Sequence, residues 1–179
     1  MLNTYDLFIT RVIHGKLPIQ IDLHKRIKSF VDNNYSEENS VSCVNGFRFQ
    51  KDFDGKKELN NHLNNYLNNF MNMKIHNSWL NVLGNNSYNF PHSHGGDDVY
   101  YSGVFYLSHE NNNIHFSKDS QHFEIKPKLF DFLIFPVNLV HYVLPENRHE
   151  KRICYAFNLI CALANSAASS FCLSASLHL

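Results

Sequence analysis

The sequence predicts a mainly β domain, an antiparallel sandwich or barrel with helices buttressing one face. Three observations carry this reading. From Trp79 onward, short apolar runs are separated by polar or Gly/Asn punctuation. Two stretches with helical spacing precede them. A chain of 179 residues, 44% hydrophobic and 18% charged, suits one domain with its own core.

Leu7 to Val12 reads as a short strand, with Gly15 and Pro18 marking a turn after it. Leu23, Ile27, Phe30 and Val31 form the apolar stripe of a helix that Asn33-Asn34 ends. A strand is expected around Gly46–Gln50. Leu59, Leu63, Tyr66, Leu67, Phe70 and Met71 define a second helix, its Asn and His residues forming the wet face. Its apolar stripe reads as core against a sheet. The strand runs are then Trp79–Leu83, Val99–Leu107, Ile114–Phe116, His122–Ile125, Phe130–Phe135, Val140–Leu144 and Ile153–Ile160. Residues 85–91 and 95–101 read as loops at the rim. From Cys161 to Leu179 the chain is Ala/Ser-rich and free of acidic and basic residues other than His178, a short outer helix or a loose end.

Composition narrows the function classes. Sixteen basic and sixteen acidic residues balance to +0, which gives no electrostatic footprint for nucleic acid or an anionic membrane. Cys43, Cys154, Cys161 and Cys172 show no CxxC spacing, so reduced, packed thiols are expected rather than a zinc knuckle or disulfide framework. The polar opening Met1-Leu2-Asn3-Thr4-Tyr5-Asp6 lacks a signal-peptide core, and a cytoplasmic location is the simplest expectation. The sequence does not set the oligomeric state; a homodimer is compatible with it.

The chemistry concentrates in a few residues. Side chains alternate along a strand, so His92 and His94 present two imidazoles to one spot. His141 lies in an apolar, β-branched run that reads as another strand. Three imidazoles converging from two strands make a metal site. Asp98, four residues beyond His94, is an alternative ligand. The set is therefore His92, His94 and His141, with Asp98 either added or replacing His94.

Several segments taken together and in order are similar to one family. They are Trp79-Leu80-Asn81, Tyr88-Asn89-Phe90-Pro91-His92-Ser93-His94, Ser102-Gly103-Val104-Phe105-Tyr106-Leu107, Phe135-Pro136, His141-Tyr142-Val143-Leu144-Pro145 and Arg152-Ile153-Cys154-Tyr155-Ala156-Phe157-Asn158. The set resembles the Fe(II)/2-oxoglutarate-dependent oxygenases, most of all the bacterial and phage members with an HxH…H…R pattern, and spans roughly residues 79–160. The resemblance implies a double-stranded β-helix, the jelly-roll barrel also found in cupins. It would occupy 1–160, with helical support over 20–75, barrel core over 77–160 and the remaining 161–179 as a tail.

The resemblance also implies roles. His92 and His141 match the two histidine ligands, and His94 stands where the wider superfamily has Asp or Glu. Arg152 would anchor the far carboxylate of 2-oxoglutarate through a two-point fork. Tyr106 would assist there by its hydroxyl. Asn81 and Asn158 are further polar contacts to the co-substrate, and Arg148 is a rival anchor set in what reads as an exposed turn. The implied reaction couples oxidative decarboxylation of 2-oxoglutarate, releasing succinate and CO2, to hydroxylation of a prime substrate that the sequence does not identify. No catalytic residue beyond the metal centre is expected. The other reading is a cupin-like metal protein without 2-oxoglutarate chemistry, an isomerase, a different dioxygenase or a small-molecule sensor. It has no need of Arg152.

Overall fold

A computed structural model describes residues 10–162 except 41, 97, 110 and 111. The elements in chain order are β1 (Ile13–Lys16), α1 (Ile21–Asn34), β2 (Cys43–Phe49), α2 (Lys56–Met71), β3 (Met73–His92), β4 (Tyr101–Tyr106), β5 (Ile114–Lys118), β6 (Gln121–Ile125), β7 (Asp131–Pro136), β8 (Val140–Val143) and β9 (Arg152–Cys161). All strand pairs are antiparallel. The order is β1-β7-β4-β9-β3-β8-β5-β6, with β2 on the other side of β3. The sheet curls into the half-barrel of a double-stranded β-helix, as expected.

β3 shapes the curl. Its first half, Met73 to Leu83, pairs with β9, and its second half reaches β8 through Asn89 and His92. The bend falls at Gly84-Asn85-Asn86, where Asn86 takes a φ of 55°. Those turn-forming residues had suggested a loop over 85–91. They bend the strand while it goes on pairing, so that segment is strand rather than rim loop.

Two buried clusters occupy the two faces of the sheet. One contains Leu23, Ile27 and Val31 of α1 and Leu59, Leu63 and Leu67 of α2, packed on Leu80, Val82, Phe105, Tyr155 and Phe157. This is the helical buttress that the i, i+4 stripes require. The other lines the barrel interior with Val104, Tyr106, Ile114, Phe116, Leu133 and Phe135. β9 separates them. Arg152, Cys154, Ala156 and Asn158 face the interior, while Ile153, Tyr155, Phe157 and Leu159 face the helices, and all eight are buried. Burial on both faces explains why β9 reads as a continuous apolar run.

The N-terminal strand sits later than expected. Residues 7–9 of the Leu7–Val12 run lie outside the described residues, Thr10–Val12 is not strand, and pairing begins at Ile13. Gly15 belongs to β1, not to a turn. A Cβ there would lie 2.4 Å from the Phe132 ring, so glycine answers a close approach rather than a reversal. Cys43 and Cys154 are free and buried, but Cys161 is disulfide-bonded, against the expectation of four reduced thiols. The tail from 163 lies outside the described residues. Among the described residues, no helix is long and apolar enough to cross a membrane.

Candidate metal centre and co-substrate pocket

His92 and His141 face each other directly across the β3–β8 pairing. Opposed residues on neighbouring antiparallel strands share a face at close Cβ range, so both rings enter the barrel together. His94 lies two residues beyond the end of β3, and its backbone N–H donates to the Val137 carbonyl at 2.8 Å. That bond keeps the chain in register after the strand ends. The ring centroids are 4.4 Å apart for His92 and His141, 5.0 Å for His94 and His141, and 5.3 Å for His92 and His94. One nitrogen from each ring lies within 4.8 Å of the other two.

The remaining nitrogens have partners that fix the rings. His92 Nδ1 bonds the Phe90 carbonyl at 2.7 Å, and His141 Nδ1 bonds the Leu139 carbonyl at 3.0 Å. His94 Nδ1 lies 2.9 Å from Asn158 Oδ1 and 2.8 Å from the Ser102 hydroxyl, which itself donates to Asn158 Oδ1. A carbonyl partner requires Nδ1–H, so Nε2 is the lone-pair nitrogen turned inward on all three rings. Burial pushes all three imidazoles toward the neutral form, and His141 falls to about 3, with repulsion from His92 and His94 adding to burial. A neutral imidazole with its second nitrogen held is the form that binds a metal.

Arg152 lies deeper in the barrel, on β9. Its side chain is fully buried, with Nη1 3.2 Å from Cys154 Sγ and Nη2 3.5 Å from the Tyr106 hydroxyl. Nε has no partner. Burial pushes the Tyr106 phenol and the Cys154 thiol upward, so both stay neutral. Among the described residues no carboxylate pairs with the guanidinium. An unpaired buried cation costs several kcal/mol, roughly, which an anion drawn into the cavity offsets. One cavity touches Asn81, His92, His94, His141, Arg152 and Cys154, so an anion drawn to Arg152 would lie beside the imidazoles. A wider opening outside it is lined by Arg48, Trp79, His92, His94 and Asn158.

Other expected site residues find mixed places. Tyr106 is fully buried beside Arg152. Asn81 lines the cavity, donates to Asn89 Oδ1 at 3.1 Å and keeps a buried Oδ1 without a partner. Asn158 is not beside Arg152; it sits behind His94, and its amide donates to Asn77. Two interior positions of β9, Cys154 and Ala156, separate it from Arg152, which carries it to the His94 end. Asp98 is exposed in a turn at φ 65° and is not among the clustered ligand atoms. Arg148 is half-buried, not exposed. It donates to the carbonyls of Gly84 and Ser87 at 2.6 and 2.9 Å and to Asn112 at 2.9 Å, so its donors brace the β3 bend. Ser102 and Cys154 were not foreseen as partners of the site; only the alternation of β4 and β9 pointed inward to them.

Comparison with known proteins agrees with this geometry. Residues 108–158 match the family described as "Putative 2OG-Fe(II) oxygenase". The matched segment includes His141 and Arg152 and begins after the His92–His94 pair. A search of curated sequences finds no match. Among solved structures, a prolyl-4-hydroxylase from Pseudomonas putida is similar at 12% identity and a TM-score of 0.61, over 83% of this chain and 91% of its own. A prolyl hydroxylase from Trichoplax adhaerens, solved with a hypoxia inducible factor peptide fragment, has 12% identity and a TM-score of 0.62 over 84% and 83%. HygX from Streptomyces hygroscopicus, solved with nickel and 2-oxoglutarate, has 10% identity and 0.62 over 84% and 83%. These likenesses establish the shared fold. The matched segment is similar to that family over residues 108–158.

Proposed function

We propose that this protein is an Fe(II)- and 2-oxoglutarate-dependent dioxygenase that hydroxylates a C–H bond of a prime substrate. One molecule each of O2 and 2-oxoglutarate is consumed, and succinate, CO2 and the hydroxylated product leave. One observation carries the reading. A buried guanidinium with an orphaned Nε lines the same cavity as three neutral imidazoles.

The residues fit the cofactor. Three clustered imidazoles could hold an Fe(II) ion, and the cavity they share with Arg152 could take a chelating 2-oxo acid. His92, His94 and His141 would hold the iron. Bound there with its co-substrate, iron supplies the oxidising power for C–H hydroxylation.

The chain's own groups do the rest. Arg152 binds the far carboxylate through Nε and an Nη, and the Tyr106 hydroxyl donates to it. Asn158 and Ser102 hold the His94 ring in place, and backbone carbonyls hold the other two. Phe135, 4.7 Å from the His141 ring, walls that side against water. Because His94 is neutral, an iron held there would keep its full charge, which a dianionic co-substrate would balance. A cupin-like protein without a 2-oxo acid leaves the Arg152 charge unexplained.

The test is anaerobic titration with Fe(II) and 2-oxoglutarate, followed by succinate measurement in air. A visible charge-transfer band and succinate release are expected, and Arg152→Ala removes both. An Arg152→Ala protein that binds 2-oxoglutarate as the parent does sinks the co-substrate reading.

A further inference from the structure

A second guanidinium stands at the outer opening, and the reaction proposed above leaves it without a task. Arg48 on β2 pairs across the sheet with Asn81 and lies 4.5 Å from the centroid of the Trp79 ring. That ring is itself 5.7 Å from the His94 ring. Trp79 thus sits between Arg48 and the metal ligands, a spacer that holds a cation near the centre but off it. Stacking on indole fixes the guanidinium plane and leaves its edges free for hydrogen bonds.

The two edges are used differently. With the Gln50 amide oxygen turned inward, Arg48 donates to it through Nε at 3.0 Å and through Nη2 at 2.7 Å. The fork between Nη1 and Nη2 has no protein acceptor among the described residues, and no carboxylate there pairs with Arg48. Among the described residues, the opening it lines contains Lys56, His76, His92 and His94 but no Asp or Glu. Lys56 is spent on the carbonyls of Gln50 and Lys51 at 2.6 and 3.0 Å. Arg48 is therefore the cation in this opening with a fork to spare. Among the described residues no carboxylate pairs with it, and it is half-buried, where charge is weakly screened.

We propose that Arg48 binds an oxyanion of the prime substrate, a carboxylate or a phosphate, and so selects anionic substrates and fixes which C–H bond meets the metal. This rests on the oxygenase reading for the meaning of "prime substrate". The two arginines divide the work: Arg152, inside, takes the co-substrate, and Arg48, outside, takes the molecule to be oxidised. The planar fork suits either oxyanion.

Trp79 is the chain's one tryptophan, so its fluorescence reports on this opening. The full chain, loaded with Mn(II) and saturating 2-oxoglutarate, is titrated with hexanoate, hexyl phosphate and neutral hexanamide, following Trp79 emission and binding heat. One or both anions should bind and hexanamide should not; whichever anion binds more tightly names the oxyanion. Arg48→Gln should weaken that anion roughly tenfold or more, and Arg48→Lys should restore part of the affinity. Far-UV circular dichroism and melting of both variants separate a lost fork from a lost fold. Equal affinity of parent and Arg48→Gln for the anion overturns the proposal. So does displacement of the anion by 2-oxoglutarate, or binding of hexanamide as tight as hexanoate. If the parent chain makes no succinate with Fe(II), the oxygenase reading fails on that measurement, and the same titration without metal still decides the Arg48 site.

Discussion

At His94 the proposed ligand set departs from the usual two histidines and a carboxylate. The imidazole is held by an amide and a hydroxyl rather than by another charge. His94→Ala should therefore lose bound iron, while Asp98→Ala should retain it, as measured by iron content after gel filtration. Equal retention by both variants would remove His94 from the set. Asn158→Ala leaves the ligands in place but frees the His94 ring, and metal affinity should fall by about 10- to 100-fold. The convergence of the three histidines was readable from sequence because period-2 spacing and a β-branched strand context are local signals. The supports of His94 were not. Ser102 lies 56 residues before Asn158, and His94 lies 64 before it, so their meeting depends on the β4–β9 register, which no local pattern encodes.

Among the elements, α1 and α2 followed directly from their stripes, because a helix buried on one side repeats every 3.6 residues. Leu63 is 2% exposed in the helix-facing core. Leu63→Ala should cost about 2–5 kcal/mol of stability, read as a lower urea midpoint at an unchanged slope. The long strand was harder to see. Gly84, Asn85 and Asn86 have the composition of a turn, and local chemistry gives no sign that pairing resumes beyond them. What keeps the bend in the sheet is Arg148, 61 and 64 residues away from the two carbonyls its donors bind there. The same tie moved Arg148 from an expected surface turn into a bracing role.

For the whole molecule, the three imidazoles make the metal-free protein sensitive to acid. An unfolded histidine takes up its proton near pH 6.5, whereas His141 in the fold resists until about 3. Between those values the unfolded chain binds more protons, so stability should rise with pH from about 3 to 6.5 and level off above. Melting temperature against pH, without metal, should show this slope, and His141→Gln should flatten it. A parent slope of opposite sign would contradict neutral, buried imidazoles. Saturating Fe(II) should raise the melting temperature at neutral pH, where all three folded imidazoles are neutral and free to bind it.

β9 has a consequence for how such a protein changes over generations. Residues 152, 154, 156 and 158 face the candidate site, while 153, 155, 157 and 159 face the helical layer. Two selective pressures are written on one ribbon in alternate letters. A substitution at an even position can retune chemistry without unseating the helices, and one at an odd position can repack the buttress without touching the cavity. A shift by a single residue, by insertion or deletion, would exchange the two sets and destroy both at once. A saturation library across this strand should tolerate point changes in two separate patterns, but hardly any change of length.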